Sequence, residues 1–353
     1  MINKIIARYK QIRTERYLHQ TYQCQYAFVG MGQHSLTNLY PVLHYLGVPL
    51  KYICVTSERK ARLIERKFQG QKATISLDQI LRDETVKGVF VAATPSAHFD
   101  IASQVLQSGK SLFIEKPPCK SLDELDTLID LQQRYHSPVA MVGLQKCYAP
   151  AVQLLKKRLH KERLINYDYH YLTGAYPEGD AKLDLFIHPL HLVCHLFGDA
   201  RILACHRVEE QSYILLLQHP HVVGTLELST SYTWKNAEES LRLCTKAGVY
   251  HLNGMEELTF SHKSKTVFHV PLEKMHTSKS TSEYLYSQNH FSPILFHHQV
   301  YTDGYFSELL AFVSAVEGKG GDLPTDLLSL RGTYRLLLFP TDGVGRSFDA
   351  DEE

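Results

Sequence analysis

Apolar positions along the chain follow a helical period at first and then break into short runs. Ile2, Ile5, Ile6, Tyr9 and Ile12 share one helical face, with Lys4, Arg8, Lys10, Arg13 and Arg16 around them. This predicts an amphipathic helix within residues 1–24, outside the first domain. Docking on the body or on a second subunit is its expected use, and weak attachment to an anionic membrane is the alternative. From Gln25 onward, apolar runs at residues 25–29, 51–55, 88–93, 111–114 and 139–143 read as strands. Helical patterns lie between them, as with Phe99, Ala102, Val105 and Leu106 before Gly109. Strand, helix and strand in close succession predict parallel βαβ units with right-handed crossovers. Ser121 with Glu124 three residues on is a capping box for a helix from Leu122 to about Arg134.

The second half changes character. Alternating runs at 166–171, 212–218, 222–231, 240–244 and 248–252 read as strands of an antiparallel sheet. Residues 272–303, rich in Ser, Thr, His and Tyr, read as one long loop. An apolar-periodic helix follows from Gly304 to Val316, then a glycine-rich turn, then a last helix capped by Thr325 and running through Leu338. The expected organisation is an N-terminal helix (1–24), a doubly wound parallel α/β domain (25–145), an open, mainly antiparallel sheet domain (146–338) and a disordered tail (339–353).

Composition narrows the partners. The chain has 353 residues, enough for two domains with sizeable cores. Its 38 Lys and Arg nearly cancel 37 Asp and Glu, so no global field favours nucleic acid. No apolar run is long enough to span a bilayer, and the first residues lack the apolar segment of a signal peptide. Seven cysteines are scattered and never form CxxC, which signals neither a disulfide framework nor a cysteine zinc site and fits a reducing cytoplasm.

The candidate chemistry lies at strand ends. After the strand 25–29 comes Gly30-Met31-Gly32-Gln33-His34-Ser35, a dinucleotide fingerprint. Its first glycine makes a tight turn, its second lets a pyrophosphate approach the backbone, and Ser35 is small enough for the third position. Where NAD enzymes place an acid for the ribose, the chain has Thr56-Ser57, with Arg59 and Lys60 behind. Hydroxyls and cations suit a 2′-phosphate, which leans the expectation from NAD towards NADP. Glu115-Lys116-Pro117-Pro118 follows the run 111–114 and puts a lysine on a stiff mount at the sheet's ligand edge.

Gly30-Met31-Gly32, Ala93-Thr94-Pro95 with His98, and Glu115-Lys116-Pro117, in this order and spacing, resemble the Gfo/Idh/MocA oxidoreductases, named for glucose–fructose oxidoreductase and inositol dehydrogenase. The resemblance covers roughly residues 25–338. It implies a Rossmann domain followed by an open sheet domain that carries the substrate site and often mediates homo-oligomers. Lys116 then contacts substrate and cofactor at the reacting centre. Glu115, Pro117, Thr94, Pro95 and His98 join Gly30, Gly32, Gln33, His34, Ser35, Thr56, Ser57 and Arg59 as cofactor contacts.

Asp184 and His188, four residues apart, resemble the family's D-x-x-x-H pair, which implies that the histidine exchanges a proton at the substrate carbon and that the aspartate positions the substrate or the histidine. By the same likeness Lys146, Tyr148 and His191 are substrate-side candidates. Two departures stand out: the glycine pair often found before the motif is replaced by Ala181-Lys182-Leu183, and His191 stands where aspartate is frequent. Asp184, His188, His191 and His195 could also be read as a metal stripe, but it is too long for one ion to touch all four, and no metal is expected. The implied activity is hydride transfer between NAD(P) and a hydroxyl-bearing carbon of a sugar, nucleotide sugar, cyclitol or similar small molecule. The alternatives are an inactive dinucleotide-sensing protein and an imine or enone reductase.

Overall fold

The computed structural model describes residues 2–15, 21–68, 70–275, 282–291, 294–321 and 323–339. The expected tail beyond 339 lies outside them. The chain divides into two compact units, one made of 1–119, 123–143 and 308–327, the other of 120–122, 144–307 and 328–353.

In the first unit α1 (Ile2–Glu15) precedes a Rossmann alternation: β1 (Gln25–Val29), α2 (Tyr40–Leu46), β2 (Leu50–Cys54), α3 (Glu58–Lys67), β3 (Lys72–Thr74), α4 (Leu77–Arg82), β4 (Val86–Val91), α5 (Pro95–Gln107), β5 (Ser111–Glu115), α6 (Leu122–Arg134) and β6 (Ala140–Gly143). The six strands are parallel in the order β3-β2-β1-β4-β5-β6, so the winding reverses between β1 and β4. That reversal opens a crevice beyond the strands' carboxyl ends. All five residues of β5 are buried, as a strand covered on both faces requires. β3 has only three residues and no apolar run, and the sequence reading passes over it.

A helix from Tyr305 to Val316 returns to this unit and sets Phe312 edge-on against Phe90 and Phe113, at 5.0 and 5.8 Å between ring centroids. Thr325 does not cap a helix. Its carbonyl accepts the amide of Val142 at 2.8 Å, extending pairing beyond β6.

The second unit holds α7 (Pro150–Leu159), β7 (Leu164–Gly174), α8 (Ile187–Phe197), β8 (Arg201–Glu209), β9 (Ser212–Gln218), β10 (Val223–Tyr232), β11 (Glu238–Thr245), β12 (Gly248–Asn253), β13 (Glu257–His262), the small hairpin β14 (Thr266–Val267) and β15 (Val270–Pro271), α9 (Leu272–Met275), β16 (Ser282–Ser287) and α10 (Gln299–Thr302). After α11, the returning helix Tyr305–Val316, comes α12 (Leu330–Leu337), which begins five residues later than Thr325. Eight strands form one sheet in the order β16-β13-β12-β11-β7-β10-β9-β8, antiparallel throughout except for β7 beside β10. The expected loop 272–303 thus contains an edge strand. β16 and β8 are largely exposed or half-buried and carry no clean apolar alternation, because an edge strand buries little.

Candidate functional site

The first unit collects its candidate groups where β1, β2, β4 and β5 end. Gly30 has φ +92°, and a Cβ there would meet the Ala92 carbonyl oxygen at 2.4 Å, so only glycine fits this turn. Gly32 is the opposite case. Nothing lies within 4 Å of a Cβ built on it, which leaves the backbone open to an approaching group. A helical run begins at Gln33 and passes through a π-helical turn, Ser35–Leu39, before α2. Ser35 is buried, its Oγ 3.4 Å from the Gly30 carbonyl oxygen. Gln33 and His34 are exposed.

His34 Nδ1 lies 3.0 Å from the Asn38 amide nitrogen; with Asn38 donating, the proton sits on Nε2, which faces Glu115 Oε1 at 3.2 Å. That approach lacks hydrogen-bond alignment, and Oε1, buried, has no hydrogen-bond partner. A Cβ on Gly143 would stand 2.9 Å from the same oxygen, so Gly143 makes room for the carboxylate. Lys116 is half-buried, and the Pro117 that follows is buried and joined to it by a cis peptide. His98, 1% exposed, places Nδ1 2.7 Å from the Pro117 carbonyl and Nε2 3.1 Å from that of Ala93. It thereby ties the turn after β4 to the turn after β5.

A cavity of about 370 Å³ opens beside Gly30 and Gly32, walled by Val55, Ile75, Leu77 and Ile101, with Thr56, Thr94 and Lys60 at its rim. Apolar walls there suit a flat heterocycle. Ser57 is occupied otherwise: its Oγ caps α3 by accepting the amide of Lys60 at 3.4 Å. Arg59 is exposed and outside this lining, so Lys60 is the cation that faces the cavity. Pro95 opens α5, where its missing amide costs nothing. The bare Gly32, the orphaned Glu115 oxygen and the cavity together fit a dinucleotide.

In the second unit Asp184 does not lie on a regular α-helix. It sits in a π-helical turn, Lys182–Phe186, which feeds α8, where His188 is the second residue and Pro189 the third. The proline falls in the first turn, where the helix does not need its amide. Asp184 Oδ2 accepts the Tyr176 hydroxyl at 3.3 Å, and a Cβ on Gly179 would come within 2.3 Å of it. Burial, and then the Asp184 charge, push the Tyr176 hydroxyl up to about 12, so it stays a donor. His188 is 9% exposed. His191 is buried, its Nδ1 2.9 Å from Thr333 Oγ1 on α12, a contact that links α8 to α12. His195 Nδ1 faces Lys156 Nζ at 3.2 Å, and burial, reinforced by Lys156, pulls its pKa down to about 3. The described residues contain no group of three or more His, Cys, Asp or Glu that could hold a metal ion.

Residues 24–144 match the model of an oxidoreductase family with an NAD-binding Rossmann fold, GFO_IDH_MocA. Over that stretch the chain is similar to the Gfo/Idh/MocA oxidoreductases. A UDP-N-acetylglucosamine 3-dehydrogenase from Acidithiobacillus ferrooxidans is 31% identical over 134 residues, 36% of this chain and 40% of that protein. The chain spans 57% or less of the length of the first curated relatives it matches. A dehydrogenase from Chromobacterium violaceum shares the fold with a TM-score of 0.74 and 20% identity, over 90% of this chain and 94% of the other. A levoglucosan dehydrogenase solved with NADH and levoglucosan gives 0.71 and 17%, over 89% and 94%.

The second unit also holds a polar cavity of about 500 Å³, lined among others by Lys146, Glu239, Asn253, Glu256, Gln288 and Asp303. Lys146, from the 3-10 turn Gln145–Tyr148, meets Glu239 Oε2 at 2.5 Å and lies 4.6 Å over the Tyr171 ring. Burial alone would lower the lysine's pKa, but Glu239, with Tyr171 and Asp303 adding to it, more than offsets this and the net shift is upward. Glu239 Oε1 accepts the Tyr169 hydroxyl at 2.6 Å. Asp303 is pushed up to about 6 by burial, against the pull of Lys146. Tyr148 is buried. Gly304, at φ +99°, would bring a Cβ within 2.0 Å of the Gln145 carbonyl oxygen, so it lets the chain close over this turn.

Glu239 and Asp303 escape the sequence reading. The signal for Glu239 is present: it shares alternation with buried Leu241 and Leu243, which places a carboxylate on the inward face of β11.

Proposed function

We propose that the chain is an NAD(P)-dependent dehydrogenase or reductase that moves a hydride between nicotinamide and a hydroxyl-bearing carbon of a sugar, nucleotide sugar, cyclitol or similar small molecule. The observation that carries this reading is the carboxyl edge of the parallel sheet. There lie the open backbone at Gly32, a Glu115 Oε1 that lacks a hydrogen-bond partner, and Lys116, the residue after β5. When bound, the nicotinamide nucleotide supplies the hydride chemistry.

What remains is proton management and orientation. A hydroxyl carbon that gives up hydride must also give up its hydroxyl proton, so a base has to reach that oxygen. His188 takes or returns the proton, and Lys116 orients the hydroxyl and stabilises alkoxide charge as it develops. Asp184, held by the Tyr176 hydroxyl, positions the histidine or the substrate. Lys146, Glu239 and Asp303 offer the mixed donors and acceptors that a polyhydroxylated ligand needs. Lys60 at the rim of the apolar cavity favours a 2′-phosphate and hence NADP.

The test is to titrate the purified chain with NAD, NADP and their reduced forms, then follow reduced-nicotinamide absorbance over a panel of sugars, nucleotide sugars and cyclitols. Turnover with a hydroxylated substrate is expected. Tight nucleotide binding without turnover of any panel member would instead favour a sensing protein.

A further inference from the structure

The feature that the dehydrogenase reading leaves unused is α1. Five apolar side chains on one face, Ile2, Ile5, Ile6, Tyr9 and Ile12, are 45–72% exposed. Apolar surface left in water is unfavourable, so five such side chains on one face of a short helix carry a standing cost. At 100° per residue they cover an arc of about 120°. Arg8 and Lys10 stand about 40° beyond either edge of that arc, and Lys4 lies on the polar side.

The helix has no acidic residue before Glu15, whose carboxylate already accepts the Gln11 amide at 2.9 Å. This charge pattern selects the occupant. A second copy of α1 would bring cations against cations, whereas a bilayer surface of anionic phospholipid offers an apolar layer to the stripe and phosphates to its flanks. Arg8 and Lys10 are long enough to lay their stems on the acyl boundary and keep their charges among the headgroups.

We propose that α1 is an interfacial anchor that holds this chain reversibly on an anionic lipid surface, lying in the plane of the headgroups. Such contact needs no spanning segment, and no helix among the described residues is long and apolar enough to cross a membrane.

The full chain should co-sediment with vesicles of equal parts phosphatidylglycerol and phosphatidylcholine, stay in solution with phosphatidylcholine alone, and be released by added salt. Replacing Lys4, Arg8 and Lys10 by serine should weaken binding by at least about tenfold. Ile5→Ser with Tyr9→Ser should do the same. Because these side chains lie outside the core, thermal unfolding of both variants should match the parent. Equal binding to neutral and anionic vesicles, no vesicle binding, or binding indifferent to both variants would overturn the anchor. So would a concentration-dependent dimer, seen by analytical ultracentrifugation, that Ile5→Ser with Tyr9→Ser dissolves, since it would make a second copy the occupant.

Discussion

Lys116 follows five buried residues and precedes two buried prolines, so its backbone is fixed on both sides while its side chain remains half-buried. A cation held in this way can orient a reacting oxygen without the entropy loss a mobile side chain would suffer. Lys116→Ala and His188→Ala should each lower kcat by about a hundredfold or more while nucleotide affinity changes little. Steady-state kinetics with parallel nucleotide titration checks this, and near-full turnover in either variant would remove that residue from the chemistry. Lys60→Ala addresses the cofactor. If its ammonium pairs with a 2′-phosphate, the variant should bind NADPH about tenfold more weakly and NADH almost unchanged, because a charged hydrogen bond is at stake in only one case. A parallel loss for both nucleotides would assign Lys60 to general electrostatics.

At the scale of elements, α8 shows how one helix divides its histidines among different tasks. His188 lies in its first turn, His191 is held by Thr333, and His195 is kept neutral beside Lys156. A buried histidine whose folded pKa is near 3 contributes stability that is whole above its ordinary value near 6.5 and lost as pH falls from there towards 3. Acidifying from neutrality to pH near 5 should therefore cost roughly 1–2 kcal/mol through this residue. His195→Gln, which can still accept from Lys156, should flatten that part of the profile. Urea unfolding of parent and variant at both pH values measures it, and an unchanged slope would place the acid sensitivity elsewhere.

The helix was legible in part. The four-residue spacing of Asp184 and His188 and the position of Pro189 point to a helix start. The π-helical turn that carries Asp184 leaves no mark in hydrophobic periodicity, because a bulge of this kind shifts the hydrogen-bond register without changing composition. The glycine turn of Gly30 was readable for the converse reason: the conformation admits one residue type, so identity reports geometry. Edge strands were not. β8 and β16 bury too little to impose alternation, and in β16 the Ser, Glu and Tyr residues read as loop. Glu239 and Asp303 come from segments far apart in sequence, one on β11 and one after α10, and only the fold of the second unit brings them to one cavity.

For the molecule as a whole, the connectivity matters more than either sheet. The chain leaves the first unit after Gly143, returns for residues 308–327 and leaves again. The returning segment supplies Phe312, fully buried against Phe90 and Phe113, and Glu317, whose carboxylate accepts the amides of Gln23 and Cys24 at 2.9 Å each. The Rossmann unit is therefore incomplete until most of the chain has been made. Its core has a ring missing and the lead into β1 is untethered. Phe312→Ala should destabilise the protein by about 3–5 kcal/mol, the usual cost of emptying a buried aromatic site. A chain ended after residue 143 should lack a cooperative unfolding transition although it retains all six strands and the whole dinucleotide fingerprint. Adding the 308–327 segment back through a flexible linker should restore one, as calorimetry would show. If the shorter chain melts as sharply as the linked one, the returning helix is an accessory to the first core and not part of it.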